Sequence, residues 1–292
     1  MPINTTITST TLKSTNQMAT EITSTGSTTS SCNVTRPYCS ECGAFKISVT
    51  DSRIVNGSNA SVNEFPYQVA VIAHIGNQSG LCGGSIIKRR WVLCAAHCLV
   101  IGGVRVDGAT VRIGDIDIRE ARTLIPHNFF VHEKYNGSNY ANDIALIELQ
   151  EDFNFTDPST QPICIAEESD IPFGGKAVVT GWGQISTDGP ISFTLQEVAV
   201  DIINNTLCEE LFVLPPEGEK AVCAFTPYQG TCHGDSGGPL VTKLCDGRWV
   251  IFGVVSYGSI FGCAHPDIPT VFTRVPAHRS WIDKVTGSPT IC

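Results

Sequence analysis

Ser236 lies in the run Gly230-Thr231-Cys232-His233-Gly234-Asp235-Ser236-Gly237-Gly238-Pro239-Leu240, a stretch suited to holding one hydroxyl in the open. Glycine serves where backbone must take positive φ or approach another group closely. Here glycines stand on both sides of the serine, a carboxylate precedes it, and Cys232 can pin the loop. An alcohol attacks a carbonyl only when a neighbouring base takes its proton. His97, within Leu93-Cys94-Ala95-Ala96-His97-Cys98, is a candidate base; Asp143, within Asn142-Asp143-Ile144-Ala145-Leu146-Ile147, is a candidate for the carboxylate that orients it. Singly, each motif has a plainer reading. Gly, Asp and Ser are turn formers, a histidine among apolar residues is commonly a hydrogen-bonded core residue, and Asp at a strand entrance is commonly part of a turn. Together, in the order His, Asp, Ser, they supply a base, its orienting acid and a nucleophile, the constellation for acyl transfer through a covalent intermediate.

Residues so far apart need a scaffold to converge. From residue 54 onward, short apolar runs alternate with Gly, Pro, Asn and Asp clusters; examples are Gln68-Val69-Ala70-Val71-Ile72, Thr110-Val111-Arg112-Ile113, Ala177-Val178-Val179-Thr180 and Val250-Ile251-Phe252-Gly253-Val254-Val255. This spacing points to an all-β fold of antiparallel sheets closing as barrels or sandwiches. Residues 275–285 carry the period of a short helix, with Trp281, Ile282 and Val285 on one face.

Bulk properties exclude several classes of function. The 292 residues suffice for one large or two modest domains. No apolar run reaches the roughly 18 residues of a membrane span. A net charge of −9 argues against nucleic acid as a partner, which needs a basic face. The 13 cysteines show no tight finger-like Cys/His spacing, so no metal is expected to organise them and an oxidising, extracellular setting follows. Sequons at Asn4, Asn33, Asn59, Asn77, Asn136, Asn154 and Asn204 agree with secretion. Residues 1–31 are mostly Ser, Thr and other small or polar types, and are expected to be a disordered stalk, open to O-glycosylation. They lack the apolar centre of a signal peptide.

With the three motifs in this order and at these separations, the chain resembles the chymotrypsin-like (trypsin-fold) serine proteases from Ile54 to about Val285. The resemblance implies two six-stranded antiparallel barrels followed by a C-terminal helix. His97 and Asp143 would come from the first barrel, Ser236 from the second, and the backbone N–H groups of Gly234 and Ser236 would face the oxyanion. It also implies a zymogen: residues 32–53 form a Cys-containing pro-segment ahead of the protease domain 54–292. A cut after Arg53, by an activating protease of basic specificity, frees the Ile54 ammonium to pair with Asp235. A carboxylate buried beside Ser236 needs such a charge partner. Four disulfides are implied, Cys82 with Cys98, Cys208 with Cys223, Cys232 with Cys263, and Cys42 with Cys164, the last tying the pro-segment to the protease. Cys32, Cys39, Cys94, Cys245 and Cys292 remain, and Cys94 reads as a small packing residue. Protein or peptide substrates and protein protease inhibitors are the implied partners, with no cofactor. The loop at Gly114-Asp115 is shorter than in calcium-binding trypsins, so no calcium is expected there.

The resemblance also outlines a specificity pocket. Gly230 stands at the floor where trypsins carry aspartate, which disfavours Arg and Lys, because an unpaired charge buried there is costly. Ser256, Tyr257 and Gly258 correspond to the strand that pairs with substrate backbone. Thr270 replaces a glycine and shortens the pocket, which is expected to favour medium apolar side chains, with Phe or Tyr second. Thr231 and His233 adjoin it. A non-catalytic binding module on the same scaffold is the competing reading, and the retained His97, Asp143, Ser236 and Gly234 weigh against it.

Overall fold

The computed structural model describes residues 42–45 and 57–287. The expected stalk, most of the pro-segment, Arg53 and Ile54 lie outside the described residues.

Seven strands form the first sheet: β1 (Gln68–Ile75), β2 (Gln78–Lys88), β3 (Trp91–Cys94), β4 (Gly108–Ile113), β5 (Arg122–Leu124), β6 (Pro126–Val131) and β7 (Ala145–Leu149). Their spatial order is β5-β4-β1-β2-β3-β7-β6, every pair antiparallel. β4 shows why sequence alternation becomes a sheet with one buried face. Ala109, Val111 and Ile113 point into the core while Gly108, Thr110 and Arg112 stay partly exposed, the period of two that pleating imposes. β1 and β2 are joined through the two residues Gly76 and Asn77, with Gly76 at φ +54°, the left-handed setting that tight hairpins reserve for glycine.

A second sheet uses β8 (Lys176–Gly181), β9 (Gln196–Ile203), β10 (Ala221–Ala224), β11 (Pro239–Lys243), β12 (Trp249–Tyr257) and β13 (Thr270–Arg274). Its order β9-β8-β11-β12-β13-β10 returns to β9 through Ile202↔Ala224 and Ile203↔Cys223, which closes a six-stranded barrel. The first sheet differs from the six-stranded expectation. It is a curled half-barrel of seven strands whose edges, β5 and β6, are not paired to each other. The short strand Ser58–Asn59 adds to β9, and Cys164–Ile165 lies parallel to β12.

Val71, Leu93, Val111 and Leu146 pack in one core, which also takes in Val178, Val241, Ile251 and Val254 from the second sheet; Val179, Val198, Leu240, Phe252 and Phe272 pack in another. The C-terminal helix α2 (Arg279–Thr286) follows a 3₁₀ turn at Pro276–His278 and buries Trp281 and Ile282 in the first core, with Val285 packed alongside. The helix therefore crosses back onto the first sheet. A shorter helix α1 (Asn205–Leu211), capped by Asn204 Oδ1 accepting from Leu207 N–H at 2.8 Å, was not foreseen from sequence periodicity. No helix among the described residues is long and apolar enough to cross a membrane.

Disulfides join Cys42 to Cys164, Cys82 to Cys98, Cys208 to Cys223 and Cys232 to Cys263. Cys245 is disulfide-bonded too, whereas Cys94 is a buried free thiol whose pKa burial pushes up to about 12. Ahead of the protease body, Gly43 donates to Pro162 O at 3.0 Å and accepts from Trp249 N–H at 3.0 Å, so the segment around Cys42 is hydrogen-bonded as well as covalently held.

Candidate active site

His97 stands on the 3₁₀ turn Ala96–Cys98 directly after β3. The Cys82–Cys98 bridge fastens that turn to β2. Asp143 precedes β7, the neighbour of β3 in the sheet, so ordinary strand pairing carries the two residues to the same edge. The Asp143 side chain is fully buried and both its oxygens are used. Oδ1 accepts the backbone N–H of His97 at 2.9 Å, and Oδ2 lies 2.7 Å from His97 Nδ1. A carboxylate only accepts, so the imidazole carries its proton on Nδ1 and leaves Nε2 able to take another. Burial acts to lower the His97 pKa, but the charge of Asp143 and its hydrogen bond outweigh it and hold the ring above the ordinary imidazole value.

Two further donors come from the second barrel. Ser256 Oγ donates to Asp143 Oδ2 at 2.5 Å and Thr273 Oγ1 donates to the Asp143 carbonyl at 2.7 Å. The Ser256 side chain thus serves the carboxylate as well as lining the cleft. Asn142, at φ +52°, is held from three directions. Its Nδ2 donates to Lys134 O at 3.3 Å, its Oδ1 accepts from Lys220 Nζ at 3.1 Å, and His278 Nε2 lies 3.3 Å from the same oxygen. Strained backbone persists only where its surroundings over-determine it, and here they do so one residue before the carboxylate.

Ser236 is presented by the loop between Cys232 and β11. The loop is anchored on both sides: Gly83 N–H donates to Ser236 O at 2.7 Å and Gly237 N–H donates to Val255 O at 2.8 Å. Gly237, at φ +78°, lies so close to β2 and β3 that a Cβ would sit 2.6 Å from Cys94 Sγ and 2.7 Å from Gly83 O. Gly234 has φ +101°, a backbone setting that L side chains rarely adopt. The N–H groups of Gly234 and Ser236 have no acceptor among the described residues, which leaves two donors for an oxyanion. Ser236 and His97 line one cleft of about 860 Å³. No hydrogen bond joins their side chains in the structure; in unliganded sites such bonds are often long and tighten with substrate.

Between these donors lies Asp235, fully buried. Its carboxylate accepts from Gly183 N–H and Cys232 N–H, both at 2.8 Å, and no cation among the described residues offsets it. Burial pushes its pKa up to about 6, against the pull of those two hydrogen bonds.

The cleft continues past Thr231, His233, Ser256, Tyr257 and Gly258 to Thr270. Gly230 is buried beside Thr270 and is not itself one of the lining residues; a Cβ on it would lie 3.6 Å from Thr270 Oγ1, and Thr231 Oγ1 is 3.4 Å from the same hydroxyl. The only carboxylate among the lining residues is Asp188, in an exposed turn. Several lining residues carried no signal in the sequence. Tyr140 meets the His97 ring edge-on at 5.9 Å and stacks on Tyr257 at 5.0 Å, while Phe212 adds a third ring 5.8 Å from Tyr257. Ile260 and Phe261 also line the cleft and are 89% and 76% exposed. Cys82, His97 and Cys98 are gathered closely enough to suggest a metal centre, but both sulfurs are spent in their disulfide.

A half-barrel and a closed barrel that bring a hydroxyl and an oriented imidazole to one cleft fit a hydrolase of the nucleophilic serine class. Comparison with known sequences is specific: the family model described as Trypsin matches residues 54–282, and the chain belongs to that family of serine peptidases. It is 37% identical over 236 residues to chymotrypsin-2 of Vespa crabro, covering 79% of this chain and 99% of that protein. Chymotrypsin-C of Mus musculus is 36% identical over 243 residues, covering 79% and 88%. Serine proteinase stubble of Drosophila melanogaster is 34% identical over 258 residues, covering 83% of this chain and 32% of the longer protein. The chain therefore spans about a third of stubble, and 15% of serine protease filzig from the same fly.

Proposed function

We propose that the chain is a secreted serine endopeptidase, kept inactive until a protease of basic specificity cuts after Arg53, with a preference for medium apolar and then aromatic side chains before the scissile bond. The observation that carries the catalytic reading is the Asp143 carboxylate, whose two oxygens hold His97 by ring and by backbone at 2.7 and 2.9 Å. In this reading Ser236 Oγ attacks the peptide carbonyl as His97 Nε2 takes its proton. The amides of Gly234 and Ser236 stabilise the oxyanion. The proton then passes from Nε2 to the leaving amine, and water repeats the sequence on the acyl-enzyme. Loss of one oxyanion donor costs about a hundredfold to a thousandfold in rate. The uncharged base around Gly230, Thr231 and Thr270 supports the non-tryptic preference. The buried Asp235, with no cation against it among the described residues, supports activation, since an ammonium from Ile54 would offer it an opposite charge. The disulfides support an extracellular setting, in which protein substrates and protein inhibitors are the partners.

Two measurements test this. A serine-directed fluorophosphonate applied after cleavage at Arg53 is expected to label Ser236; no labelling in the cleaved chain ends the enzymatic reading. A peptide library is expected to show cleavage after Leu, Met or Val, and a strong preference for Arg overturns the pocket assignment.

A further inference from the structure

Sequons are unaccounted for by the catalytic site. Five have their asparagine among the described residues, Asn59, Asn77, Asn136, Asn154 and Asn204, and all five asparagines are exposed. Their settings differ. Asn59 lies on the edge strand against β9, with Oδ1 accepting from Gln196 Nε2 at 2.7 Å. Asn77 is at the β1–β2 hairpin tip, Asn154 follows β7, and Asn204 caps α1. Asn136 alone stands in the segment between β6 and β7 that also carries Tyr140 and Asp143.

That segment is a closed loop. Tyr135 N–H donates to His132 O, and Asn136 N–H donates to Ala141 O at 3.0 Å, so residues 137–140 are pinched off as its tip. Tyr140, next to Ala141, covers His97 and stacks on Tyr257. Asn136, directly across the bridge from Ala141, is exposed. One short loop thus covers the candidate base with one residue and offers an amide to solvent with another. Asn136 Oδ1 accepts the Ser138 N–H at 2.9 Å, a turn that fixes the side chain. Nδ2 and the Ser138 hydroxyl have no hydrogen-bond partner among the described residues, and the intervening Gly137 adds no side-chain bulk.

We propose that Asn136 carries an N-linked oligosaccharide standing at the lip of the catalytic cleft, where it admits flexible peptide segments and slows the approach of folded partners. The inference rests on the export of the chain and on the cleft assigned above. The donor is a lipid-linked pyrophosphate oligosaccharide. Asn136 Nδ2 bonds to its anomeric carbon, the bond from that carbon to pyrophosphate oxygen breaks, the lipid pyrophosphate leaves, and Nδ2 gives up one proton.

The full chain secreted from a eukaryotic host provides the test. Peptides treated with a glycan-releasing amidase in heavy-oxygen water are expected to return Asn136 as an oxygen-labelled aspartate. Ser138→Ala removes the sequon while leaving the backbone N–H that holds Asn136. After activation, that variant and the enzymatically deglycosylated parent are expected to match the glycosylated parent on a short peptide substrate. Both are expected to associate about tenfold faster with a folded protein inhibitor, at the low end of the spread of on-rates among variants of one interface. Asn136 recovered unmodified while Asn77 is modified overturns the proposal and leaves export standing. Every asparagine unmodified overturns both. A modified Asn136 with unchanged inhibitor association overturns the role at the lip.

Discussion

Asp235 gives the sharpest test of how the site is held before activation. Its carboxyl is fully buried and its pKa is pushed up from 3.8 to about 6. At about 1.4 kcal/mol per pKa unit, that is about 3 kcal/mol of penalty on the charged form. The sign follows from linkage: a group whose pKa is higher folded than unfolded binds its proton more tightly when folded. The uncut chain is therefore stabilised below about pH 4, and that contribution is lost as pH rises through about 6. Uncut Ser236→Ala protein, which cannot digest itself, can be unfolded thermally across this window and compared with Ser236→Ala/Asp235→Asn. The asparagine has one acceptor where two N–H groups point, so its overall stability is expected to be lower; the difference in pH slope is the readout. The aspartate form is expected to gain about 3 kcal/mol relative to the asparagine form on acidification, roughly 6–12 °C in midpoint at 2–4 °C per kcal/mol. After cleavage at Arg53 the new ammonium is expected to reverse the dependence, because a paired carboxylate is stabilising above its unfolded pKa and loses that on acidification. Parallel curves for the two uncut proteins would refute a buried carboxylate with a raised pKa. An unchanged slope after cleavage would refute the pairing with Ile54.

Other perturbations follow from the same geometry. Asp143→Asn is expected to lower kcat about 10⁴-fold and, by removing the partner that raises the His97 pKa, to move the acidic limb of kcat/KM to lower pH; an unmoved limb argues against His97 as the base. Thr270→Gly is expected to deepen the pocket by three heavy atoms and raise the Phe-over-Val ratio of kcat/KM by at least about 10–200-fold, the range a single methylene allows, and an unchanged ratio places Thr270 outside the pocket. Replacing Cys82 and Cys98 by alanine is expected to destabilise the chain by about 3 kcal/mol, the effect of a loop this short, measured by denaturant unfolding without reductant.

Local pattern and long-range contact divide what the sequence disclosed. The strands around Val69, Val111, Val178 and Phe252 were legible because alternating or continuous apolar runs bounded by turn formers have one economical arrangement. The meeting of His97 and Asp143 was implied by the family resemblance, since apolar runs place each at a strand end but do not say which strands are neighbours. Ser256 donating to Asp143, and Lys220 and His278 gathering on Asn142, were not legible, because these contacts link residues 113, 78 and 136 positions apart. Tyr257 was expected at the pocket, but the stacking of Tyr140 on it was hidden for the same reason, with Phe212 brought in by a helix too short to show a period. The seventh strand of the first sheet, three residues around Thr123, has too few alternations to be seen.

The bridge from Cys42 to Cys164 spans any break in the chain between residues 46 and 56. A molecule cut there keeps its two polypeptides joined until a reductant opens the bond, so the activation proposed above would change the number of chains without shedding a fragment.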